Sequence, residues 1–438
     1  MAQQTVLPRF EAKEWNASGA TQFYGKKRKR SYIVEVSLSE DIRGDLLQQA
    51  VDKTLLRMPY YSSTFVRKKG LYYYADNDLP FLVAKSKEPR IIGGVITNYH
   101  MLDVTWWENR ISFAMFHGLC DGLGLNRFIE AVLYHYVCLK DGKEYSAEGI
   151  YTEKIPYDPE ERADIHIKKR KADIKKLKAM MGNEKRFRLP ELQGQIVERM
   201  YSLPLKVKTE DFLGWCKANA ASPATATAAI MTRAIAREND IREGVIMSVI
   251  PLSLRKVLHV EKTFKNCYGA LFLPSTSEEA RSLSTGELAA KLRTGLKEQM
   301  NGEFAELVCA GMNTIIHLGS KLPTYFLKTK LLSMSDNNPQ DTFFVDYVGS
   351  LRCNDYADQI THVRYLNAPP ANGASFVLMS ETAGYFHFTF TQTVDSDRYY
   401  LAFAAILCEL GIPFEKMPYE SYLNPVVELP PEQRKKQK

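Results

Sequence analysis

The stretch Ile111-Ser112-Phe113-Ala114-Met115-Phe116-His117-Gly118-Leu119-Cys120-Asp121-Gly122-Leu123-Gly124 places one histidine at the end of an apolar run, followed by an acid and two glycines. A short run rich in isoleucine and phenylalanine is typical of a buried strand. The glycines that follow allow a tight backbone turn into the amphipathic segment that begins near Leu123. We therefore expect His117 to lie at a strand end and to face a cleft.

The chain of 438 residues exceeds what one hydrophobic core usually serves, because cores stop growing near about 250–300 residues. We expect an N-terminal lobe over residues 1–150, a charged connection over 151–195 and a C-terminal lobe over 196–438. No apolar run approaches the ~18 residues of a membrane span. The N-terminus lacks a basic start followed by an apolar core. These features predict a cytoplasmic protein without a membrane span.

Cysteine spacing and local charge narrow the function classes. The seven cysteines are scattered without CxxC spacing, which favours reduced thiols over a disulfide framework or a zinc site. The net charge of +7 comes from basic stretches at 26–30 and 154–188. Because residues 168–178 contain no aromatic side chain to stack on bases, a solvated helix face is favoured and no nucleic-acid partner is expected.

Two segments before the opening stretch show clear periodicity. Residues 31–38 alternate apolar and polar side chains, which is the period of a half-buried strand. A helix is predicted over 43–57, because apolar residues recur at helical spacing until a proline ends it. Strands are expected over 60–67 and 71–75, on either side of a hairpin turn at Lys68-Lys69-Gly70.

After Gly122, apolar residues recur at helical spacing from Leu125 to Tyr136 and predict a helix that packs on the sheet. Before the opening stretch, two further apolar stretches occupy 91–97 and 101–106. The second half contains the same kinds of element. Its predicted elements, in chain order, are a strand over 196–202, helices over 208–219 and 224–238, strands over 245–252 and 269–273, a helix from Ser284 to Met300, a helix over 303–318, strands over 343–348, 361–367, 374–380 and 384–391, and a helix over 397–411.

His117 is the strongest candidate for chemistry. An unperturbed imidazole titrates near neutral pH and can take a proton from an alcohol, an amine or a thiol. The alternative is a core histidine bonded to a backbone carbonyl. From the residues alone both interpretations stay open, since a histidine separated from Asp-Gly by three residues also recurs by chance.

Three neighbours of His117 carry competing interpretations. Asp121 is either the acid of a triad or a structural group that caps a helix or pairs with a buried arginine, for which Arg255 is the candidate. Cys120 suggests a Cys-His mechanism, but its apolar loop favours a packed thiol. The set of His100, His117 and Cys120 lacks HExxH or CxxC spacing, so no metal site is expected. No P-loop or Gly-x-Ser-x-Gly elbow occurs.

The segment Phe116-His117-Gly118-Leu119-Cys120-Asp121-Gly122 resembles the His-His-x-x-x-Asp-Gly signature of the chloramphenicol acetyltransferase-like superfamily, with Phe116 in place of the first histidine. That superfamily includes peptide-synthetase condensation domains, plant acyltransferases and bacterial alcohol acetyltransferases. The Asp-Phe-Gly-Trp-Gly motif of the plant branch is missing.

The resemblance extends beyond the motif. Residues 45–55 with 57–60 and the turn at 70–73 are similar to the N-terminal region of stand-alone bacterial alcohol acetyltransferase-like proteins. Residues 249–255 with 265–269 resemble their second-lobe segment. In all, the resemblance covers about residues 30 to 410.

The resemblance implies an α/β (α+β) sandwich of two chloramphenicol acetyltransferase-like lobes. A tunnel between the lobes would admit the acyl donor from one face and the acceptor from the other. The same likeness implies that His117 is the general base, that Asp121 gives structural support by pairing with an arginine, and that backbone N–H groups near Gly122 steady an oxyanion. It also places Arg255, Asn266 and Tyr347 at the substrate site. No bound cofactor or metal is implied, because the thioester carries the activation.

Three functions remain open at this point. The first is a transfer of an acyl group from a thioester, with acyl-CoA as the expected co-substrate, to a small alcohol or amine. In the second, the donor is the phosphopantetheine arm of an acyl carrier protein that docks on the basic residues 168–178. The third is a binding protein that kept the fold and lost the chemistry, against which the presence of His117, Asp121 and Gly122 argues.

Overall fold

The computed structural model describes residues 9–24, 31–173, 175–177, 184–192, 199–300, 302–332, 341–367, 375–423 and 427–429. The basic run at 26–30, parts of the basic stretch at 154–188 and the first residues of the strands predicted over 196–202 and 374–380 lie outside this set.

The strands, in chain order, are β1 (Glu14–Trp15), β2 (Ser31–Leu38), β3 (Thr64–Lys68), β4 (Leu71–Ala75), β5 (Ala84–Lys85), β6 (Leu102–Trp107), β7 (Arg110–Phe116), β8 (Arg199–Lys208), β9 (Val245–Ser253), β10 (Tyr268–Thr276), β11 (Phe343–Gly349), β12 (Ile360–Asn367), β13 (Ser375–Thr382), β14 (Tyr385–Gln392), β15 (Glu415–Lys416) and β16 (Glu420–Leu423). The helices are α1 (Ala20–Tyr24), α2 (Gly44–Arg57), α3 (Gly122–Asp141), α4 (Thr209–Ala218), α5 (Pro223–Glu238), α6 (Ser277–Ser282), α7 (Thr285–Gln299), α8 (Gly302–Lys321), α9 (Tyr325–Leu332) and α10 (Arg398–Glu409). Among the described residues, every helix is too short or too polar to cross a membrane.

Most predicted strands and helices are confirmed. In the C-terminal half the structure adds α6, α9, β15 and β16, which the sequence did not predict. Further differences lie in the N-terminal half. The strand expected over 60–67 begins only at Thr64, because Pro59–Ser62 forms a 3₁₀ turn. Proline has no N–H to give to a sheet, and its fixed φ suits the first position of such a turn. The apolar stretch at 91–97 forms no strand and ends in a 3₁₀ turn at Val95–Thr97.

The first lobe is organised around β7. Its sheet has the order β12-β2-β7-β6-β5, so β7 is the central strand. Helices α2 and α3 pack on this sheet and share one core with it, in which Leu47, Phe113 and Phe128 are fully buried. A separate sheet of order β1-β4-β3 contributes Tyr74 to the same core. Burial of β7 on both sides fixes the point at which the chain leaves the sheet after Phe116.

The second lobe is an eight-stranded mixed sheet of order β10-β9-β11-β13-β14-β8-β15, with β16 paired to β8. The β9·β11 and β11·β13 pairs are parallel and the others antiparallel. Helix α5 lies at the centre of the helical layer, where its alanines allow close approach to α7 and α10. Ser222 caps α5 in a capping box and Pro223 occupies its first turn, which accounts for where it begins.

One strand passes between the lobes. β12 follows β11 in the C-terminal half of the chain, yet it pairs antiparallel with β2 of the first sheet. Arg364 of β12 lies opposite Glu35 of β2 and donates to its carboxylate from Nε at 3.0 Å. Arg110 of β7 and Tyr422 of β16 also bind Glu35. This buried cluster joins the two sheets through polar groups.

Substitution of Glu35 by glutamine is expected to destabilise the protein by up to about 3–5 kcal/mol. It removes the buried carboxylate that Arg110 and Arg364 share and leaves them only the partly exposed carboxylate of Glu420. Glu35 is only 3% exposed. Urea denaturation followed by circular dichroism measures the change. Asp240→Asn, which removes the acid of an exposed pair with Arg242, is the control and should have a much smaller effect. Equal midpoints for Glu35→Gln and the parent protein would contradict the structural role of the cluster.

Candidate active site

His117 directly follows β7 and lies in a turn that amide side chains hold from outside. The N–H of Leu119 donates to the carbonyl of Phe116 at 2.8 Å and closes the turn. Asn266 donates from Nδ2 to the His117 carbonyl at 2.9 Å, and Asn16 donates to the Gly118 carbonyl at 2.6 Å. The backbone around His117 is therefore braced from the N-terminal segment and from the second lobe.

The His117 ring is held by aromatic packing. Its centroid lies 5.5 Å from that of Tyr32 and 5.8 Å from that of Tyr268. Nδ1 is buried without a hydrogen-bond partner among the described residues, which leaves Nε2 as the ring nitrogen available to a ligand. The hydroxyl of Tyr32 is likewise buried without a partner within that part of the chain. Nδ1 of His117 and the hydroxyl of Tyr32 thus belong to neighbouring rings, and each lacks a hydrogen bond to the described residues.

Asp121 caps α3 and forms an ion pair across the lobes. Its Oδ1 accepts from the N–H of Gly124 at 2.9 Å, and its Oδ2 accepts from the N–H of Cys267 at 2.9 Å. Arg255 donates to both oxygens, from Nη1 at 2.8 Å and from Nη2 at 2.7 Å. Arg255 also donates from Nε to the Thr263 carbonyl at 3.0 Å. Both side chains of the ion pair are buried.

The ion pair decides the ionisation of Asp121. Burial raises the pKa of this carboxyl, and the charge and hydrogen bonds of Arg255 lower it by more, so that the net pKa lies below the ordinary value. Asp121 is consequently ionised at neutral pH and fully committed to Arg255 and two backbone N–H groups. A carboxylate in this state supports the turn and has no free lone pair to orient His117.

A cavity of about 510 Å³ opens between the lobes beside His117. Its wall includes Tyr32 and Gly122 from the first lobe and Tyr268 from the second. A second cavity of about 740 Å³ lies on the other side of the first turn of α3. Leu123 and Val348 belong to the walls of both cavities, so the two meet at these side chains. The two cavities therefore lie next to each other, with Leu123 and Val348 between them.

Comparison with solved structures decides the architecture. The chain is similar to polyketide synthase associated protein 5 from Mycobacterium tuberculosis, with a TM-score of 0.64 and 14% identity over 92% of this chain and 99% of that one. It is similar to TRI101 of F. graminearum complexed with coenzyme A and T-2 mycotoxin, with a TM-score of 0.59 and 9% identity over 93% and 100% of the two chains. It is also similar to the first condensation domain of the CDA synthetase, with a TM-score of 0.58 and 13% identity over 92% and 97%.

The chain has the chloramphenicol acetyltransferase-like fold. The expected two-lobe α/β architecture is thereby confirmed. No family model matches the sequence, and no curated protein matches it by sequence similarity. At 9–14% identity the likeness to these three structures rests on the fold.

Within this fold the residues singled out by the sequence have distinct positions. His117, Gly122, Arg255 and Tyr347 line the 510 Å³ cavity. The hydroxyl of Tyr347 donates to Glu381 at 3.2 Å. Asn266, in contrast, contacts the backbone of His117 and is not part of the cavity wall that the structure describes.

Cys120 points into the core of the first lobe. It is fully buried, and its Sγ lies 3.1 Å from the sulfur of Met115. Burial, reinforced by the charge of Asp121, raises the pKa of the Cys120 thiol well above its ordinary value. A thiol in this environment stays protonated, which favours the packing interpretation over the nucleophilic one.

Tyr32 and Asp346 belong to the cavity wall, but the sequence interpretation did not single them out. Tyr32 belongs to a strand with ordinary alternation, and nothing in its sequence context distinguishes it from a core residue. Asp346 lies within Phe343-Phe344-Val345-Asp346-Tyr347-Val348. A single acid inside an apolar strand breaks the local pattern, which is a recognisable signal for a functional position.

Asp121→Asn tests the ion pair separately from the helix cap, because asparagine caps a helix as well as aspartate does. We expect a loss of about 3–5 kcal/mol of stability at neutral pH, since Arg255 is left as an unpaired buried charge. The lowered pKa of Asp121 means that this difference is present above its unfolded pKa and is lost as the pH falls through its lower folded pKa. Chemical denaturation across this pH range measures it.

Asp158→Asn is the matched control. Asp158 also caps a helical turn and pairs with a lysine, Lys262, but at an exposed position. Its substitution should change stability far less than Asp121→Asn does. Because asparagine keeps the cap in both variants, equal effects of the two substitutions would show that the buried pair adds no more to stability than the pair of Asp158 with Lys262 does.

Proposed function

We propose that this chain is an acyltransferase that moves an acyl group from a thioester, with acyl-CoA as the first candidate, to an alcohol or amine, and that His117 is its general base. The observation that carries the proposal is the position of His117, whose ring lines an interlobe cavity beside the first turn of α3. The fold supports it as well, because the similar structures include TRI101 complexed with coenzyme A and the trichothecene 15-O-acetyltransferase TRI3 from Fusarium sporotrichioides.

The reaction follows from one base and one thioester. Nε2 of His117 takes the proton of the acceptor hydroxyl or amine as its oxygen or nitrogen forms a bond to the thioester carbonyl carbon. The tetrahedral intermediate then collapses, the C–S bond breaks, and the leaving thiolate takes the proton from the imidazolium. The products are the acylated acceptor and a free thiol, and His117 returns to its neutral form.

The first turn of α3 supplies donors for the oxyanion. The first N–H groups of an α-helix have no intrahelical partner and carry the positive end of its dipole. Asp121 accepts a hydrogen bond from the N–H of Gly124. The N–H groups of Gly122 and Leu123 remain to donate hydrogen bonds to the developing negative charge. A Cβ on Gly122 would come within 3.2 Å of the Tyr32 hydroxyl and 3.3 Å of Val348, so glycine keeps this approach open.

The two cavities separate the substrates. We place the acceptor in the cavity that His117 lines and the donor in the 740 Å³ cavity, with the thioester passing between Leu123 and Val348. Such an arrangement holds the two bound reactants close together in one orientation. For a donor that is already activated, this positioning is the main contribution of an enzyme to the rate.

His117→Ala is expected to lower the acyl-transfer rate by about 10²–10⁴-fold, the usual contribution of a general base. The measurement is release of free thiol from acetyl-CoA with a panel of alcohols and amines, combined with mass spectrometry of the products. Circular dichroism establishes that the variant is folded.

His259→Asn is the control, because His259 is exposed and its φ of 53° is one that asparagine accepts. Its rate should equal that of the parent protein. A His117→Ala rate within a few-fold of the parent rate would exclude the base. Failure of the parent protein to transfer from any thioester in a broad panel would favour a binding protein of the same fold.

A carrier protein as donor is the second candidate. The described part of the basic stretch presents Lys168, Lys169, Lys171 and Lys175 as exposed side chains, an arrangement that suits the acidic surface of an acyl carrier protein. The similarity to a condensation domain favours this candidate too.

Charge reversal at the basic stretch tests whether an acyl carrier protein docks there. Lys168, Lys169 and Lys171 changed together to glutamate should raise the KM for an acyl carrier protein about tenfold or more at low salt, because rim charges steer association. Transfer from acyl-pantetheine, which has no phosphate, is measured beside it and should not change. Reversal of the exposed Lys217 and Lys297 on α4 and α7 is the control. Equal loss in the two variants, relative to the parent protein, would exclude docking at the basic stretch.

A further inference from the structure

Asp346 occupies a position in β11 where its strand neighbours are apolar. Residues of this strand alternate between two sides: Phe343 and Val345 belong to the core of the second lobe, whereas Phe344 and Val348 pack against the core of the first. Asp346 lies between the latter two in the row that faces the interlobe cavity, and it lines that cavity. The strand therefore directs a carboxylate to the place where the alternation calls for an apolar side chain.

The carboxylate of Asp346 has no hydrogen bond or ion pair with any residue that the structure describes. The other charged groups of the described cavity wall, Asp121 and Arg255, neutralise each other at 2.7–2.8 Å. Besides His117, the described wall thus contains one titratable carboxylate, that of Asp346, whose charge no described residue compensates. An uncompensated charge away from bulk water is costly, and a bound cation removes that cost.

The environment of Asp346 is consistent with a vacant cation site. Burial, followed by repulsion from Asp121, raises the pKa of Asp346 to about 7. A carboxyl with a raised pKa lacks a stabilising positive neighbour, as expected for a group whose partner is a ligand. After burial, the charge of Asp346 is the largest contribution that raises the pKa of Tyr32, which lines the same cavity.

The rest of the wall defines the shape of the ligand. Besides Asp346 and His117, the cavity wall includes the apolar side chains of Phe344, Phe376 and Val348 and polar ones such as those of Gln22 and Asn367. A volume of about 510 Å³ accommodates a small molecule and not a polymer. The wall thus combines a base at one place, an anionic group at another and apolar surface around them.

We propose that Asp346 anchors a protonated amine of the acyl acceptor, so that the acceptor is an aliphatic amino alcohol or diamine whose second group reaches His117. This inference rests on the acyl transfer proposed above and specifies its acceptor class. In the bound state the ammonium pairs with the Asp346 carboxylate, the hydrocarbon chain lies on the apolar wall, and the nucleophile stands at Nε2 of His117.

The test uses a series of ω-amino alcohols from propanolamine to aminooctanol with acetyl-CoA as donor. Each is compared with the straight-chain alcohol in which a methyl group replaces the ammonium group. The quantity measured is the ratio of kcat/KM for the amino alcohol to that for its matched alcohol, in the parent protein and in Asp346→Asn. Because each amino alcohol is compared with its own matched alcohol, any general effect of the substitution on His117 or on the use of acetyl-CoA cancels in this ratio.

We expect the parent protein to prefer amino alcohols of one chain length, and Asp346→Asn to lower that preference about tenfold or more, the loss typical of a desolvated charge pair. An equal decrease for both members of each pair would overturn the proposal, because Asp346 would then act on His117 and not on the acceptor. Absence of any preference in the parent protein would overturn it as well.

Glu381→Gln is the matched control. Glu381 lies on the neighbouring strand β13, binds the hydroxyl of Tyr347 and is not part of the described cavity wall. The Glu381→Gln substitution removes one negative charge from the same sheet. If the preference for amino alcohols is unchanged in this variant, the effect of Asp346→Asn comes from contact with the acceptor and not from the overall electrostatic field of the protein.

Failure of the proposed function is distinguishable from failure of this inference. If the parent protein acylates no alcohol of either series, acyl transfer to alcohols is excluded, and binding is read from the shift in melting temperature with each compound. Stabilisation by amino alcohols that is lost in Asp346→Asn still supports the cation site. No shift beyond that of the matched alcohols overturns it.

Discussion

The buried ion pair between Asp121 and Arg255 is the interaction on which the site depends. It connects the first turn of α3 in one lobe to the segment after β9 in the other, with both carboxylate oxygens and both terminal guanidinium nitrogens engaged. The same carboxylate takes the N–H groups of Gly124 and Cys267. Because His117 lies in the turn just before Asp121, the position of His117 is set by contact between lobes and not by its own strand alone.

Several residues near the chemistry act through backbone atoms. Arg255 also binds the carbonyls of Thr263 and Lys265, which wraps the following segment around it and brings Asn266 to the carbonyl of His117. A Cβ on Gly124 would come within 2.1 Å of the Phe264 carbonyl, so this glycine permits the close approach of that segment. Polar side chains that resemble substrate ligands in the sequence are thus used here to position the turn.

Asp121 and Asp346 line the same cavity, and their carboxyl pKa values are shifted in opposite directions. Asp121 has a lowered pKa because a guanidinium and two N–H groups satisfy it, and Asp346 has a raised pKa because burial and Asp121 act on it without compensation. The first is explained by the structure of the chain itself. The second has no compensating partner among the described residues, which is why the acceptor class is inferred from Asp346.

The sequence by itself determined the local elements: the strand ending at Phe116, the turn, the helix after Gly122 and the two-lobe architecture all follow from periodicity, glycine placement, chain length and the resemblance of one motif. One local prediction was wrong: Pro59–Ser62 forms a 3₁₀ turn where the sequence predicted the start of a strand. Only the tertiary structure decided which groups meet: the transfer of β12 to the first sheet, the use of Asn266 as a brace and the exposure of Asp346 to the cavity. The physical reason is that periodicity reports which face of an element is buried, whereas the partner of a buried charge comes from elements more than a hundred residues away in the chain.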